Sequence, residues 1–428
     1  MKVKPFAVIA AVLGLAILPA AAIGAPPKTL WVSPAAVSAT PDSCSKPGYN
    51  TIQSAINAAP AGATIRVCAG TYVEQLAITH AVSLVAVGAV TVQLPATPAN
   101  STTACDTAPG TEAFQPDQDG VAVCTTGVVN ITGLKINAAW PAGTCDDSLY
   151  GVLVAAGATL NLTNSSIVAA GAVPLNGCQG GVGIQIGMPW TTPAEVGRAN
   201  LSNVNISGYQ KNGVTVDGAG SSATVARTTV TGIGPTTQIA QNGIQVSNGA
   251  SARISSSTIS GDECNVAVCG ANGLTQTQSV GVLFFGAASG SSVTNSKING
   301  NDVGVYNFET TAPAGPAVSA IGDTLVNNRH EGVALDQGSA SVRGDSITGG
   351  NVGLAVLQYN GQGFAANGTA SQDVIRGASV AAVQVSSDQA ITGDFPGLLT
   401  ISFSKLSGNA ARILNNSANY VVVQHSNS

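Results

Sequence analysis

From Leu201 to Val230 the chain reads LSNVNISGYQKNGVTVDGAGSSATVARTTV, and apolar residues recur there at fixed places. A sextet with apolar ends, Leu201 and Ile206, is followed by a short polar turn, the strand Gly213-Val214-Thr215-Val216, a second polar link and the next sextet, Val225 to Val230. Alternation in Val214-x-Val216 predicts a strand with one buried face, because successive side chains point to opposite sides. Two strands and two turns per coil is the simplest reading. Sextets recur at Ile131/Ile136, Leu162/Ile167, Ile254/Ile259, Val293/Ile298, Ala320/Leu325, Val342/Ile347 and Ile401/Leu406. The glycine strand recurs at Gly151, Gly183, Gly243, Gly281, Gly304, Gly332 and Gly353, with weaker copies near Ala382 and Ala411.

Intervals of 21 to 39 residues between copies indicate a solenoid, in which each repeat buries its apolar face only against its neighbours. No helical period competes, and a strand that returns once per coil must stack in parallel with its copies. The expected fold is all-β: a single-stranded right-handed parallel β-helix over residues 25–428. Val214, Val216, Val333 and Leu335 are expected to face inward, where truncation to Ala costs on the order of 2–4 kcal/mol.

A tube of stacked coils leaves the core of its first coil open to water. Residues 50–62 supply a short capping helix with Ile52, Ala55, Ile56 and Ala59 on one face, Asn50 as the expected N-cap, and Pro60 and Gly62 as its stop. Around it, Thr51-Ile52-Gln53-x-Ala55-Ile56, Ala59-Pro60-x-Gly62, Ile65-x-Val67 and Gly70-x-Tyr72-x-Glu74 resemble the opening block of the pectin-degrading β-helix families, pectin methylesterases above all. The resemblance covers residues 49–88 and implies fold much more than activity. The chain departs from those families where they do chemistry. It has no Asp-Phe-x-x-Gly strand of the methylesterase type, and Asp394-Phe395-Pro396 stands in another context. Nor does it carry the Gly-His-Gly or Arg-x-Lys of polygalacturonases or the Asp-Pro-His-Asp of alginate epimerases. The rest resembles the functionally mixed group of secreted right-handed β-helix proteins of the pectate lyase-like superfamily.

Composition agrees with a tube: 51 glycines, 9% charged and 4% aromatic residues, and 44% apolar, which excludes a disordered chain. Residues 1–24 carry Lys2 and Lys4, an apolar run to Leu18 and small residues to Gly24, the pattern of a secretory signal peptide. The expected location is secreted or periplasmic, with no membrane span after cleavage. The mature chain would hold 14 basic against 21 acidic residues, so no nucleic-acid partner is expected. Eight cysteines in an exported chain read as disulfides. Coil alignment favours Cys44 with Cys68, Cys105 with Cys124, Cys145 with Cys178, and Cys264 with Cys269. A monomer is expected, and no cofactor is required, although calcium is possible at Asp117 and Asp119 or at Asp146 and Asp147.

Links between a sextet and the next glycine strand are long at 137–150, 168–182, 231–242 and 260–280 and short from Ile298 onward, which predicts a wall of loops beside a lower, open surface. On that surface, Asp302 to Asp345 holds 8 charged residues in 44, twice the chain average. Asp302 and His330 fall at the same position of adjacent coils, where their side chains could touch. Outward positions give an apolar, partly aromatic strip: Leu283 and Phe285, Tyr306 and Phe308, then Ala334 and Asp336. One reading is a saccharide groove, with Asp302, His330, Asp336 and Arg329 as catalytic candidates and Tyr306, Phe308, Glu309 and Arg343 binding substrate. The other is a solvated wall, with Arg329 and Glu331 in surface ion pairs and Phe308 covered by the loop that follows it. On either reading Tyr306, Asp336 and His330 should be nearly neutral for folding, within about 0.5 kcal/mol. Trp140 and Trp190 can stack on a sugar, but covering an apolar corner is the simpler role. Asn-x-Ser/Thr triplets at Asn130 and Asn205 read as side-chain ladders rather than glycan acceptors. Two function classes follow. The first is a polysaccharide-binding protein that degrades its ligand as a lyase or hydrolase; the second is a non-catalytic envelope or extracellular protein that binds glycans or serves a structural role.

Overall fold

The computed structural model describes residues 28–101, 105, 117–141, 145, 148–265, 279–309, 318–357, 366–385 and 394–428. The expected signal peptide, Asp146, Asp147 and Cys269 lie outside them. The chain winds as a right-handed parallel β-helix, and almost every ladder between strands is parallel. The first coils carry one long strand in place of each sextet, at Ala63–Val73, Val82–Gln93 and Val128–Trp140, but from Thr159 to Val385 each coil holds three strands rather than two. The sextet Leu201–Ile206 is not one strand: Leu201 closes Arg198–Ser202, and Ile206 sits in Asn205–Ser207. A two-residue bend, 203–204, separates them. Stacked coils therefore form two adjoining columns within one 22-stranded sheet, while the glycine strands form a separate 12-stranded sheet. We call these the long and the short sheet.

The bend explains the spacing of the sextet's apolar ends. Its first residue is left-handed in successive coils, at Asn164, Asn203, Arg227, Ser256 and Asn295, with φ between 49° and 56°. This turns the chain so that Leu201 and Ile206 both point into the core. The second residue is buried and usually polar. Thr228, Ser257, Ser296, Asp323, Asp345, Asp373 and Ser404 stack there, and each of the last six accepts a hydrogen bond from the backbone N–H of the residue before it in the row, one coil earlier. Buried backbone donors that face a corner instead of a sheet partner are satisfied this way.

The repeated glycine of the short sheet has a different cause. A Cβ on Gly213 would stand 2.6 Å from the Gly243 carbonyl oxygen of the next coil, and one on Gly304 would stand 2.5 Å from that of Gly332. Only glycine lets the coils approach so closely. Val214, Val216, Val333 and Leu335 face the core as expected, each at most 1% exposed.

The capping helix runs Ile52–Ala58 and buries Ile52, Ala55 and Ile56. Its N-cap is Thr51 rather than Asn50, because Thr51 takes the extended conformation and its hydroxyl accepts from the Ser54 N–H. The Glu74 carboxylate accepts from the N–H groups of Ile52 and Gln53, both at 2.9 Å, and the Gln53 side chain pairs with the backbone of Ala77. The resembling block is thus a lid and its fastenings, which is why it speaks to fold. Cys44–Cys68, Cys105–Cys124 and Cys145–Cys178 are bonded as expected, and Cys264 is oxidised too. Trp140 packs at a corner with Leu94 and Leu149. No helix among the described residues is long and apolar enough to cross a membrane.

Candidate functional site

Val303–Phe308 and Glu331–Asp336 are adjacent strands of the short sheet, with Val303 opposite Glu331 and Tyr306 opposite Ala334. Alternation sends Tyr306, Phe308 and Asp336 to the outside of the tube, and Glu331, before the strand glycine, is paired with Val303, which belongs to the apolar cluster on that outside. That outside is not the open surface predicted for this half. Val280, Val303, Ala334, Val352, Ala355 and Leu357 form a second apolar cluster on it, with Leu283 and Tyr306 packed against them. Asp302 and Asp336 are 0% exposed, Glu331 1% and His330 4%. The expected neutrality of Asp336 and His330 toward folding is therefore overturned, as is the solvated-wall picture of Glu331. Chain links also leave the far edge of the short sheet, at 309–317, 358–367 and 386–396, whereas short links at the near edge alone predict a low surface.

Asp302 fastens a loop. One carboxylate oxygen accepts from the N–H groups of Cys264, at 3.1 Å, and Ser279, at 3.0 Å, which flank the link at 265–278. Its other oxygen lies 2.8 Å from the Arg329 guanidinium, which also donates to the Cys264 carbonyl at 2.6 Å. Burial pushes the Asp302 carboxyl up, while the two amides and Arg329 hold it back. His330 meets Asp302 through the backbone, its N–H donating to the Asp302 carbonyl. Burial and the neighbouring Arg329 push its imidazole down to about 4, so it is neutral at physiological pH.

Glu331 was absent from the sequence-derived candidates and is the most unusual group of the cluster. Neither buried carboxylate oxygen has a hydrogen-bond partner, and the His330 Nε2 is likewise unsatisfied. Burial first, then the charge of Asp302, pushes the Glu331 carboxyl up to about 8. Glu331 and His330 are thus two buried titratable groups of the same cluster, the carboxyl pushed up and the imidazole pushed down, with no hydrogen bond between them. The cue in the sequence was its place: Glu331 immediately precedes the strand glycine, where other coils carry Val280, Val303 and Val352.

The remaining candidates divide. The Tyr306 hydroxyl donates to Asp336 at 2.9 Å. Phe308 is half-buried and packs on Phe285 of the preceding coil, ring centroids 4.9 Å apart. Glu309 is half-buried at the end of this strand, and its N–H bonds the Asp336 carbonyl. Arg343 does not belong to the cluster. It lies exposed on the long sheet, in Ala340–Arg343, where its Nε donates to Gln372. Asp117 and Asp119 are buried in another short-sheet strand, and no group of three or more His, Cys, Asp or Glu side chains among the described residues is placed to hold a metal ion.

Residues 193–371 match the family model described as the right handed beta helix region. The chain is a right-handed parallel β-helix protein. Among solved structures, this β-helix is similar to the periplasmic alginate epimerase AlgG, with TM-score 0.53 and 11% identity, 89% of this chain covering 83% of that one. It is similar also to the A-module of the Azotobacter vinelandii mannuronan C-5 epimerase AlgE4, with TM-score 0.52 and 11% identity over 87% and 94% of the two chains. At such identities the likeness is one of fold. No curated protein matches the β-helix in sequence.

Proposed function

We propose that this β-helix is an extracellular or periplasmic polysaccharide-binding protein whose binding platform is the outside of the short sheet. The observation that carries this reading is the half-exposed strip of Leu283, Phe285, Tyr306 and Phe308, displayed on two adjacent coils beside carboxylates sealed from solvent. Aromatic faces on a rigid ladder stack on sugar rings at little entropic cost. Asp302 and Arg329 are assigned to holding the adjoining loop. Two solved structures of the same fold carry names of alginate-acting enzymes, which makes polysaccharides the class to test, and the disulfides fit an oxidising compartment. The test is affinity electrophoresis against a panel of uronate and neutral polysaccharides. The double variant F285A/F308A should lose retardation by the neutral members of the panel while melting as a folded protein, and a wild-type chain retarded by none of the panel would remove the proposal.

One observation favours catalysis as a second reading: the buried Glu331 carboxyl, which has no hydrogen-bond partner and is pushed up to about 8. It requires the cluster to open to ligand. Under this reading, wild-type protein releases reducing or unsaturated ends from one member of the panel and Glu331→Gln abolishes release while retaining binding.

A further inference from the structure

The long sheet differs from the rest of the molecule in charge. None of its 22 strands contains an Asp or Glu, and every Lys and Arg in them is exposed. This holds in a chain whose net charge is −5. The acids lie elsewhere: on the short sheet, in the links, or turned into the corner as Asp323, Asp345 and Asp373, each 1% exposed. From the coil of Arg198 to that of Arg376, seven coils present Arg198, Arg253, Lys297, Arg343 and Arg376, a run of about 30 Å at about 4.8 Å per coil. The only ion pairs among the described residues are Lys46–Asp42 and Arg329–Asp302, so none of these five cations is neutralised by a neighbour.

Between the cations the surface is hydroxyl and amide. The row through Asn130, Asn161, Asn200, Thr224 and Arg253 continues as Ser292, Ser319, Ser341, Thr369 and Thr400. Asn161 donates to Asn130 and Asn200 to Asn161, both at 2.8 Å, which fixes their amides in one orientation. Two grooves indent this face. One, of about 320 Å³, is lined by Arg198 and Arg253; the other, of about 400 Å³ at the bend between the columns, is lined by Lys135 and Arg227. Neither has an acidic residue in its wall.

We propose that the outer face of the long sheet is a docking track for a linear carboxylated polysaccharide. Unpaired cations repeating along a rigid axis complement a chain with a carboxylate on every sugar, and arginine accepts carboxylates with two parallel hydrogen bonds. Ser, Thr and Asn rows complement the hydroxyls of the same polymer. The other common polyanion, nucleic acid, is disfavoured because the long-sheet strands between Arg198 and Arg376 contain no aromatic residue on which a base could stack. This proposal concerns a different face from the aromatic strip and does not depend on it.

The test measures Kd by calorimetry for a polygalacturonate oligomer, a neutral β-1,4-glucan of equal length and a single-stranded oligonucleotide of equal charge, at low and at physiological ionic strength. The expected result is polygalacturonate binding that weakens with salt. In R198Q/R253Q/K135Q/R227Q, whose substitutions are all at the surface, it should weaken about tenfold with no change in melting temperature. F285A/F308A should keep this interaction. Equal binding of the neutral glucan, preference for the oligonucleotide, or undiminished polygalacturonate binding by the quadruple variant would each overturn the proposal. Loss of the interaction in F285A/F308A with retention in the quadruple variant would transfer it to the short sheet.

Discussion

The outsides of the two sheets are built from the same parallel ladders and have opposite characters. The long sheet is bare, polar and cationic; the short sheet is covered, partly apolar and acidic. The difference lies in the corners rather than the strands. Within the long sheet successive strands meet at a two-residue bend, whose left-handed first residue and buried second residue leave no place for an insertion. The short sheet is bordered by both variable corners, so every long link of the chain leaves or arrives beside it. Where links gather, outward side chains become buried, and carboxylates such as Asp302 become fasteners. A β-helix can thus separate a covered face from an exposed track without changing its strands.

The comparison breaks first at Asp302. If the covered face is held by buried polar fasteners, Asp302→Ala strands two amides and the Arg329 guanidinium and should cost about 3–5 kcal/mol in urea unfolding. A loss below about 1 kcal/mol would mean the cluster is solvated after all. Acidity gives a smaller effect. Asp323 and Asp373 are pushed up to about 6 and Asp345 and Glu331 to about 8, so between pH 4 and 8 the folded chain binds more protons than the unfolded one. Their contribution is complete at low pH and is lost as pH rises through these values. His330, pushed down to about 4, and Lys211, pushed down to about 8, act in the opposite sense, but burial pushes Asp217, Asp262 and Asp302 up as well, so the carboxyls outnumber them. The melting temperature should therefore be several degrees lower at pH 8 than at pH 5.5. Glu331→Gln should raise it at pH 8 and leave it unchanged at pH 4. The smallest effect belongs to the bare face, where Thr224→Ala should alter stability by no more than about 0.5 kcal/mol.

Much of the tube was legible because burial imposes period. The sextet ends, the Val214-x-Val216 alternation and the repeated glycine each report a packing constraint that every coil repeats. The third strand is hard to read because the left-handed bend position is not one residue type: Asn164, Asn203, Asn295, Gly322 and Gly344 carry a turn signal there, but Arg227, Gln372 and Phe403 do not, so no single mark repeats from coil to coil. Asp302, Arg329 and His330 do meet in the fold, but nothing in their spacing announces their burial, which for Asp302 comes with bonds to Cys264 and Ser279, 38 and 23 residues away in the chain. Arg343 was misplaced because proximity in sequence does not say which side of a tube a residue occupies.

The corner row of hydroxyls and carboxylates gives the molecule a direction. Each side chain reaches back to the coil before it, as Ser296 does to Ser257, Asp323 to Ser296 and Asp345 to Asp323. Removing a coil from the C-terminal end orphans a buried donor in the coil that remains, at a cost of about 1–3 kcal/mol. Removing one from the N-terminal end orphans donors too, because the residue after each corner donates back to the coil before it, as Thr258 does to Thr228 and Lys297 to Ser257. Every coil is therefore held at this corner from both sides, by side-chain acceptors from the coil after it and carbonyl acceptors from the coil before it, so a proteolytic nick near Ser404 exposes the preceding coil to the loss of the first kind only, with the second still in place.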